Sequence, residues 1–154
     1  MIASLLALHV LSIVIWVGGM FFAWMALRPV ATSVLEPPQR LTLWAGVFSR
    51  FFPWVTASIV LILVSGYGMI FMHYSGMKGL PLYIHIMSGL AIVMILIYGH
   101  VYFAHYVKLR RAVAEQNWEF GGIKLAKIRR LIGLNLIVGL ITVAVGAGGR
   151  YFVL

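Results

Sequence analysis

Four long runs of apolar residues constrain what this chain can fold into more than any other feature. A helix that crosses the hydrocarbon core of a bilayer needs about 20 mostly apolar residues, and the runs at about 2–27, 52–73, 81–106 and 131–152 meet that length. Hydrophobic residues make up 63% of the chain and charged residues only 10%, whereas about a quarter of the residues of a soluble domain are charged. This composition excludes a water-soluble enzyme and predicts an integral membrane protein.

The segments between the runs predict a single transmembrane domain over residues 1–154, an all-α four-helix bundle in up-down-up-down order. Helical spacing of aromatic and apolar residues predicts an interfacial helix at about 39–51 that leads into the second span. Proline and glycine are expected to end or interrupt helices at four places, 28–29, 37–38, 76–81 and 121–122.

The distribution of basic residues predicts the orientation. A formal charge of +9 would point to nucleic acid in a soluble protein, but here the basic residues lie in the gaps between apolar runs, so no nucleic acid is expected. Loops one and three hold ten of them, while loop two has Lys78 and the C-terminus has Arg150. Basic loops stay in the cytoplasm, so we expect both termini to be periplasmic in a bacterial inner membrane.

The titratable residues limit the available chemistry. The acids are Glu36, Glu115 and Glu119, and cysteine is absent. Paired-carboxylate catalysis, hard-cation cages and thiolate metal sites therefore lack their residues. Five histidines and eight methionines remain as ligands for softer metals.

Three histidines near the predicted outer face are the main site candidates. His9 lies about two turns inside the first span, His73 ends the second, and His85 lies about one turn inside the third. Ionisable residues within a membrane are functional candidates, and neutral imidazole binds metals. Because helices one and three face diagonally across a bundle, His9 and His85 are predicted to hold one haem b, with His73 as the rival for either position. His100 and His105, at the opposite end, are expected to be interfacial.

Trp16 and Arg150 are secondary candidates for the haem site. Trp16 shares a helix face with His9, where it would pack on the haem edge or against a neighbouring helix. Arg150, with Lys78, lies at the outer end and would pair with haem propionates or with lipid phosphate.

Copper is the alternative metal at this end of the bundle. Imidazole and thioether ligands suit Cu(I), and methionines stand close in sequence to His73 and His85: Met69, Met72, Met77 and Met87.

Three functions therefore remain open, the third being a non-catalytic membrane subunit whose bundle serves only helix packing and assembly. The first is a b-type haem protein that transfers electrons, or a membrane haem-dependent oxidoreductase, with quinone or a periplasmic redox protein as its partner. The alternative is a copper-binding or copper-transporting membrane protein that uses His73, His85 and the nearby methionines. Membrane lipid surrounds the bundle in either case, and a homodimer is an open alternative to a monomer.

Several stretches resemble the copper-resistance protein D (CopD) domain family: HVLSIVIWVGG at 9–19, FSRF at 48–51 with SG at 65–66, and LPLYIH at 80–85. The opening His9 and Trp16 are also similar to the HemJ-type protoporphyrinogen oxidases. The resemblance implies a four-helix domain of the inner membrane in which His9 matches the helix-one histidine, a haem b ligand in the HemJ-like branch. It implies copper handling on the CopD side and haem-dependent redox chemistry on the HemJ side.

Overall fold

The fold is built from long helices. The structure, a computed structural model, describes residues 1–74 and 79–151, the side chains of Tyr74 and Arg150 excepted. Within these ranges there is no strand, and each of four helices is long and apolar enough to cross a membrane. The predicted all-helical, four-span fold class is thereby confirmed. The helices are α1 (Ile2–Val34), α2 (Pro37–Tyr74), α3 (Leu82–Ala114) and α4 (Trp118–Gly148), with a short 3-10 turn at Gly149–Tyr151.

Helix α1 continues past the expected stop at Arg28-Pro29 and ends at Val34. A proline inside a helix lacks an N–H and clashes with the carbonyl four residues before it. Just before Pro29, residues Ala23–Leu27 form a π-helical turn in which the Arg28 N–H donates to the Ala23 carbonyl, five residues back. The expectation of a helix end here is wrong because this wider turn accommodates the proline ring.

Helix α2 is a single helix of 38 residues, and the stretch expected to form an interfacial helix, 39–51, is its first part. Trp44, Phe48 and Phe52 follow one another on one face, with ring centroids 5.2 and 5.1 Å apart. All three are buried, and Phe48 meets Tyr106 of α3 edge-on at 6.2 Å. Packing against α3 therefore covers the apolar face that sequence reasoning assigned to the bilayer interface.

The turn between α3 and α4 lies at residues 115–117. Gln116 has a φ of 54°, and Asn117 caps α4 by accepting a hydrogen bond from the Phe120 N–H at 3.1 Å. The break expected at Gly121-Gly122 is wrong, since both residues lie within α4. Gly121 is a close-packing position, where a Cβ would lie 3.4 Å from the side chain of Leu41 in α2.

The helices pack mainly in two pairs. α1 lies along α2 and α3 along α4, while α4 also contacts α1 and α2. α1 and α3 meet where Trp16 contacts the edge of Tyr98, with ring centroids 6.3 Å apart. Large apolar side chains are exposed on all four helices, among them Val14, Val64, Leu96 and Ile137, a surface suited to lipid rather than water.

Candidate functional site

His9 lies on the face of α1 that packs against α2, and its side chain is only 8% exposed. Ser12 and Trp16, three and seven residues further on, are buried with it, as expected for residues that share one helix face. The ring lies against Gly66 of α2, where a Cβ would be 3.1 Å from His9 Cε1. A residue without a side chain on α2 therefore makes room for the imidazole.

Hydrogen bonds to α2 fix the tautomer of the His9 ring. Nδ1 lies 3.1 Å from the Ile62 carbonyl oxygen and 3.0 Å from Ser65 Oγ. The Ile62 carbonyl oxygen can only accept a hydrogen bond, and the Ser65 hydroxyl has the Leu61 and Ile62 carbonyls of its own helix as acceptors for its single proton, so both groups accept from His9. Nδ1 must therefore carry the hydrogen, and the lone pair is on Nε2.

The arrangement of the His9 ring is one that metal-binding histidines share. Histidine ligands commonly donate the N–H of the non-binding nitrogen to a carbonyl or another acceptor, which fixes the orientation of the ring. Ser65 is fully buried, so its bond to His9 is shielded from water. The structure thus leaves one nitrogen, Nε2, with its lone pair available for a soft or borderline metal ion.

The structure does not bring the three candidate histidines together. The side chains of His73, at the end of α2, and His85, near the start of α3, are exposed, whereas His9 is buried against α2. Among the described residues, no group of three histidine or acidic side chains could hold a metal ion. Two charged candidates for the outer end, Lys78 and the side chain of Arg150, lie outside the described residues.

Trp16 is a packing residue in the middle of the bundle. Its side chain is buried, and with Met20, Tyr98 and Asn135 it lines a small cavity of about 20 Å³. Seven residues separate it from His9, which is about 10 Å along the helix axis.

Four of the eight methionines fall into two groups. Met69 and Met72, four and seven residues beyond Ser65, share the face of α2 that contacts His9. Met87 and Met94 pack against α4 instead: a Cβ on Gly146 would lie 3.0 Å from Met87 Sδ, and Met94 Sδ accepts from Thr142 Oγ1 at 3.8 Å. Met77 lies outside the described residues. Only the first group offers thioethers on the His9 side of α2.

Sequence reasoning missed the role of Ser65 and the burial of His105. A serine in an apolar helix carries no signal of its partner, so only the packing of α1 on α2 reveals Ser65 as the anchor of His9. His105, expected to be interfacial, is only 8% exposed, and its ring centroid lies 5.0 Å from that of His100. The backbone between the two histidines is π-helical rather than α-helical, which brings their rings together, while the interfacial position of both stays a prediction.

Comparison with known proteins identifies the family. A family model described as Copper resistance protein D matches residues 45–148. The chain belongs to this family, CopD. The match runs from the first part of α2 to the end of α4, so it includes Ser65 and His105 but not His9. No curated protein and no solved structure matches the chain.

CopD membership and the four apolar helices together make this a multi-pass membrane protein. The CopD resemblance seen in the sequence is thereby confirmed, while the similarity to HemJ stays a prediction.

Proposed function

We propose that this CopD protein binds copper as its cargo within the membrane, with Nε2 of His9 as a ligand. The observation that supports this most directly is the fixed tautomer of His9: Nδ1 is held by α2, and the lone pair is left on Nε2. Imidazole and thioether groups suit copper, and the matching family is described as a copper resistance protein.

A further ligand is proposed from the same face of α2. Met69 follows Ser65 by four residues, so it lies one turn beyond the anchor of His9 on that face. His73 has an exposed side chain and lies about 12 Å beyond Ser65 along the helix axis, too far for it to share one ion with His9. A mixed imidazole and thioether set selects Cu(I) over harder cations. We assign no ligand role to His85, because its exposed side chain is on α3, away from the pair of helices that holds His9.

The orientation expected from the basic residues places this site near the periplasmic side of a bacterial inner membrane, with loops one and three in the cytoplasm. Copper arriving from outside would then meet His9 before the rest of the bundle.

Haem b is the second candidate, because the same nitrogen of His9 could ligate iron. A haem held between His9 and His85 requires both rings to face the core, and the His85 side chain is exposed. This pair of residues therefore does not fit the haem. Electron transfer to quinone or to a periplasmic partner was proposed to use this haem, so the structure does not support that function either.

Copper binding by purified protein tests the proposal. Wild type, His9→Ala and His85→Ala are purified in mild detergent and titrated with Cu(I) under anaerobic conditions against a chromogenic Cu(I) chelator. We expect His9→Ala to bind one copper ion fewer per chain than wild type and His85→Ala to match wild type. Unchanged copper binding by His9→Ala would contradict the proposal.

An absorption spectrum of protein from haem-replete cells separates the two candidates. Copper-binding protein without a Soret band supports the proposed function. A Soret band that His9→Ala abolishes, in protein that binds no Cu(I), would favour haem instead.

A further inference from the structure

A second pair of histidines, unused by the proposed function, lies at the opposite end of the bundle. His100 and His105 are five residues apart on α3, and in an α-helix such residues point about 140° apart. Their rings nevertheless meet, with centroids 5.0 Å apart and planes at 89°.

A π-helical turn explains this contact. Residues Val101–Tyr106 form π-type hydrogen bonds, and the Val107 N–H donates to the Tyr102 carbonyl five residues back. In such a turn, residues five apart lie one above the other on the same side of the helix. Single π turns inside α-helices are frequent at functional sites, and this one brings together two metal-binding side chains.

His105 also has an unsatisfied nitrogen. Its side chain is 8% exposed, and Nδ1 is inaccessible to solvent and has no hydrogen-bond partner among the described residues. Buried polar atoms are nearly always paired, because an unpaired one costs about 1–3 kcal/mol. A ligand bound between the two rings would remove this cost.

The donors and the surrounding charges indicate which ligand fits. Two neutral imidazoles offer only two nitrogens, whereas structural zinc takes four protein ligands; Cu(I), a soft ion of single charge, accepts as few as two. Lys108, Lys124 and Lys127 interact electrostatically with His105. Such a positive surrounding opposes a divalent ion more strongly than a monovalent one. Among the described residues, no acidic side chain is one of the charges that act on His105.

The distance between the rings suits one ion. Metal–imidazole bonds are about 2.0 Å long, so an ion between two nitrogens needs them about 4 Å apart. The ring centroids are 5.0 Å apart, and the exposed side chain of His100 is the one that would turn its nitrogen toward buried His105.

We propose that His100 and His105 form a second, two-coordinate Cu(I) site, built by the π turn of α3. The choice of copper among soft monovalent ions rests on the proposed function. Tyr106 contacts Phe52 at 4.8 Å and His9 contacts Ser65, and these two α2 residues are about 20 Å apart along the helix axis. The two sites would thus hold copper at opposite ends of the same bundle.

Copper stoichiometry tests the pair. Cu(I) is titrated anaerobically into detergent-purified wild type, His100→Ala, His105→Ala, His9→Ala and the double variant His9→Ala/His100→Ala. We expect two ions per chain for wild type, one for each single variant and none for the double variant. His85→Ala, which removes an exposed histidine of the same helix, is the matched control and should bind two.

His100→Ala is the decisive variant, because an exposed side chain can be removed without leaving a cavity in the core. If His100→Ala and His105→Ala both bind two ions, the second site is disproved. If His9→Ala binds two ions while His100→Ala binds one, the proposed function at His9 fails and the pair stands.

X-ray absorption at the copper edge of loaded His9→Ala protein examines the second site alone. Two nitrogen neighbours support the proposal. A sulfur neighbour, or four ligands, would overturn it.

Discussion

At the scale of single residues, the site depends on how one ring is held. The His9 ring is oriented by Ile62 and Ser65 from α2 and lies against Gly66. Groups that hydrogen-bond to a metal-binding histidine fix its tautomer, and their loss typically lowers metal affinity about 10- to 100-fold. The copper binding proposed for His9 should therefore respond to changes in residues that never touch the metal.

Ser65→Ala is expected to weaken Cu(I) binding at His9 about tenfold without changing the number of ions bound. The Ile62 carbonyl remains as an acceptor, so the tautomer is kept but the ring is less firmly oriented. Affinity is measured by competition with a Cu(I) chelator. Ser58→Ala, another buried serine of α2, is the control and should bind as wild type does; equal losses in both variants would mean a general effect on the helix.

Gly66→Ala is expected to displace the His9 ring and to lower the Cu(I) affinity several-fold. The new Cβ would lie 3.1 Å from His9 Cε1, so the ring must move by a few tenths of an ångström. Gly18→Ala on α1, where a Cβ would meet nothing within 4 Å, should leave affinity unchanged and stabilise its helix by about 0.5–1 kcal/mol. Affinity in Gly66→Ala equal to wild type would show that the ring has more freedom than the structure indicates.

At the scale of helices, two π-helical turns shape the bundle. The turn at Ala23–Leu27 lets α1 continue beyond Pro29, and it carries Trp24 against α4. There a Cβ on Gly133 would lie 2.6 Å from Trp24 Cη2, and the Arg28 guanidinium lies over the same indole, 4.3 Å from the ring centroid. α1 can thus approach α4 closely here because residue 133 is a glycine.

Gly133→Ala is expected to destabilise the protein by about 1–3 kcal/mol, the usual cost of overpacking a well-filled core. The rigid indole of Trp24 cannot yield as a flexible side chain would. The measurement is the thermal unfolding midpoint in detergent. Gly122→Ala in the same helix, where a Cβ would meet nothing within 4 Å, should not lower the midpoint; a midpoint for Gly133→Ala as high as that of Gly122→Ala would contradict the expectation.

At the scale of the whole molecule, the helices are longer than a bilayer needs. They contain 31 to 38 residues and are therefore about 46–57 Å long, against a hydrocarbon core of about 30 Å. The surplus lies at the end that holds the turns at 35–36 and 115–117, where ten of the twelve Lys and Arg residues also lie. A basic helical extension of this kind favours the cytoplasmic side and its anionic lipids.

Single cysteines test this orientation, because the chain has none of its own. We expect Ser4→Cys to react with a membrane-impermeant maleimide in intact cells. Glu36→Cys and Glu115→Cys, in the two turns of the basic end, should react only after the cells are lysed. The reverse pattern would place the termini in the cytoplasm and His9 near the inner face.

The sequence by itself determined the membrane class, the four helices and the basic end of the bundle. The lengths of the apolar runs and the positions of the charged residues along the chain are enough to predict these features. It also singled out His9 as an ionisable residue inside an apolar span, on the same helix face as Trp16. Only the tertiary structure decided which atoms meet. Ser65 reaches His9 from 56 residues away, His85 points outward, and a π turn pairs His100 with His105. Each of these depends on the rotation of a helix about its axis or on its hydrogen-bond pattern, and neither is fixed by which residues are apolar.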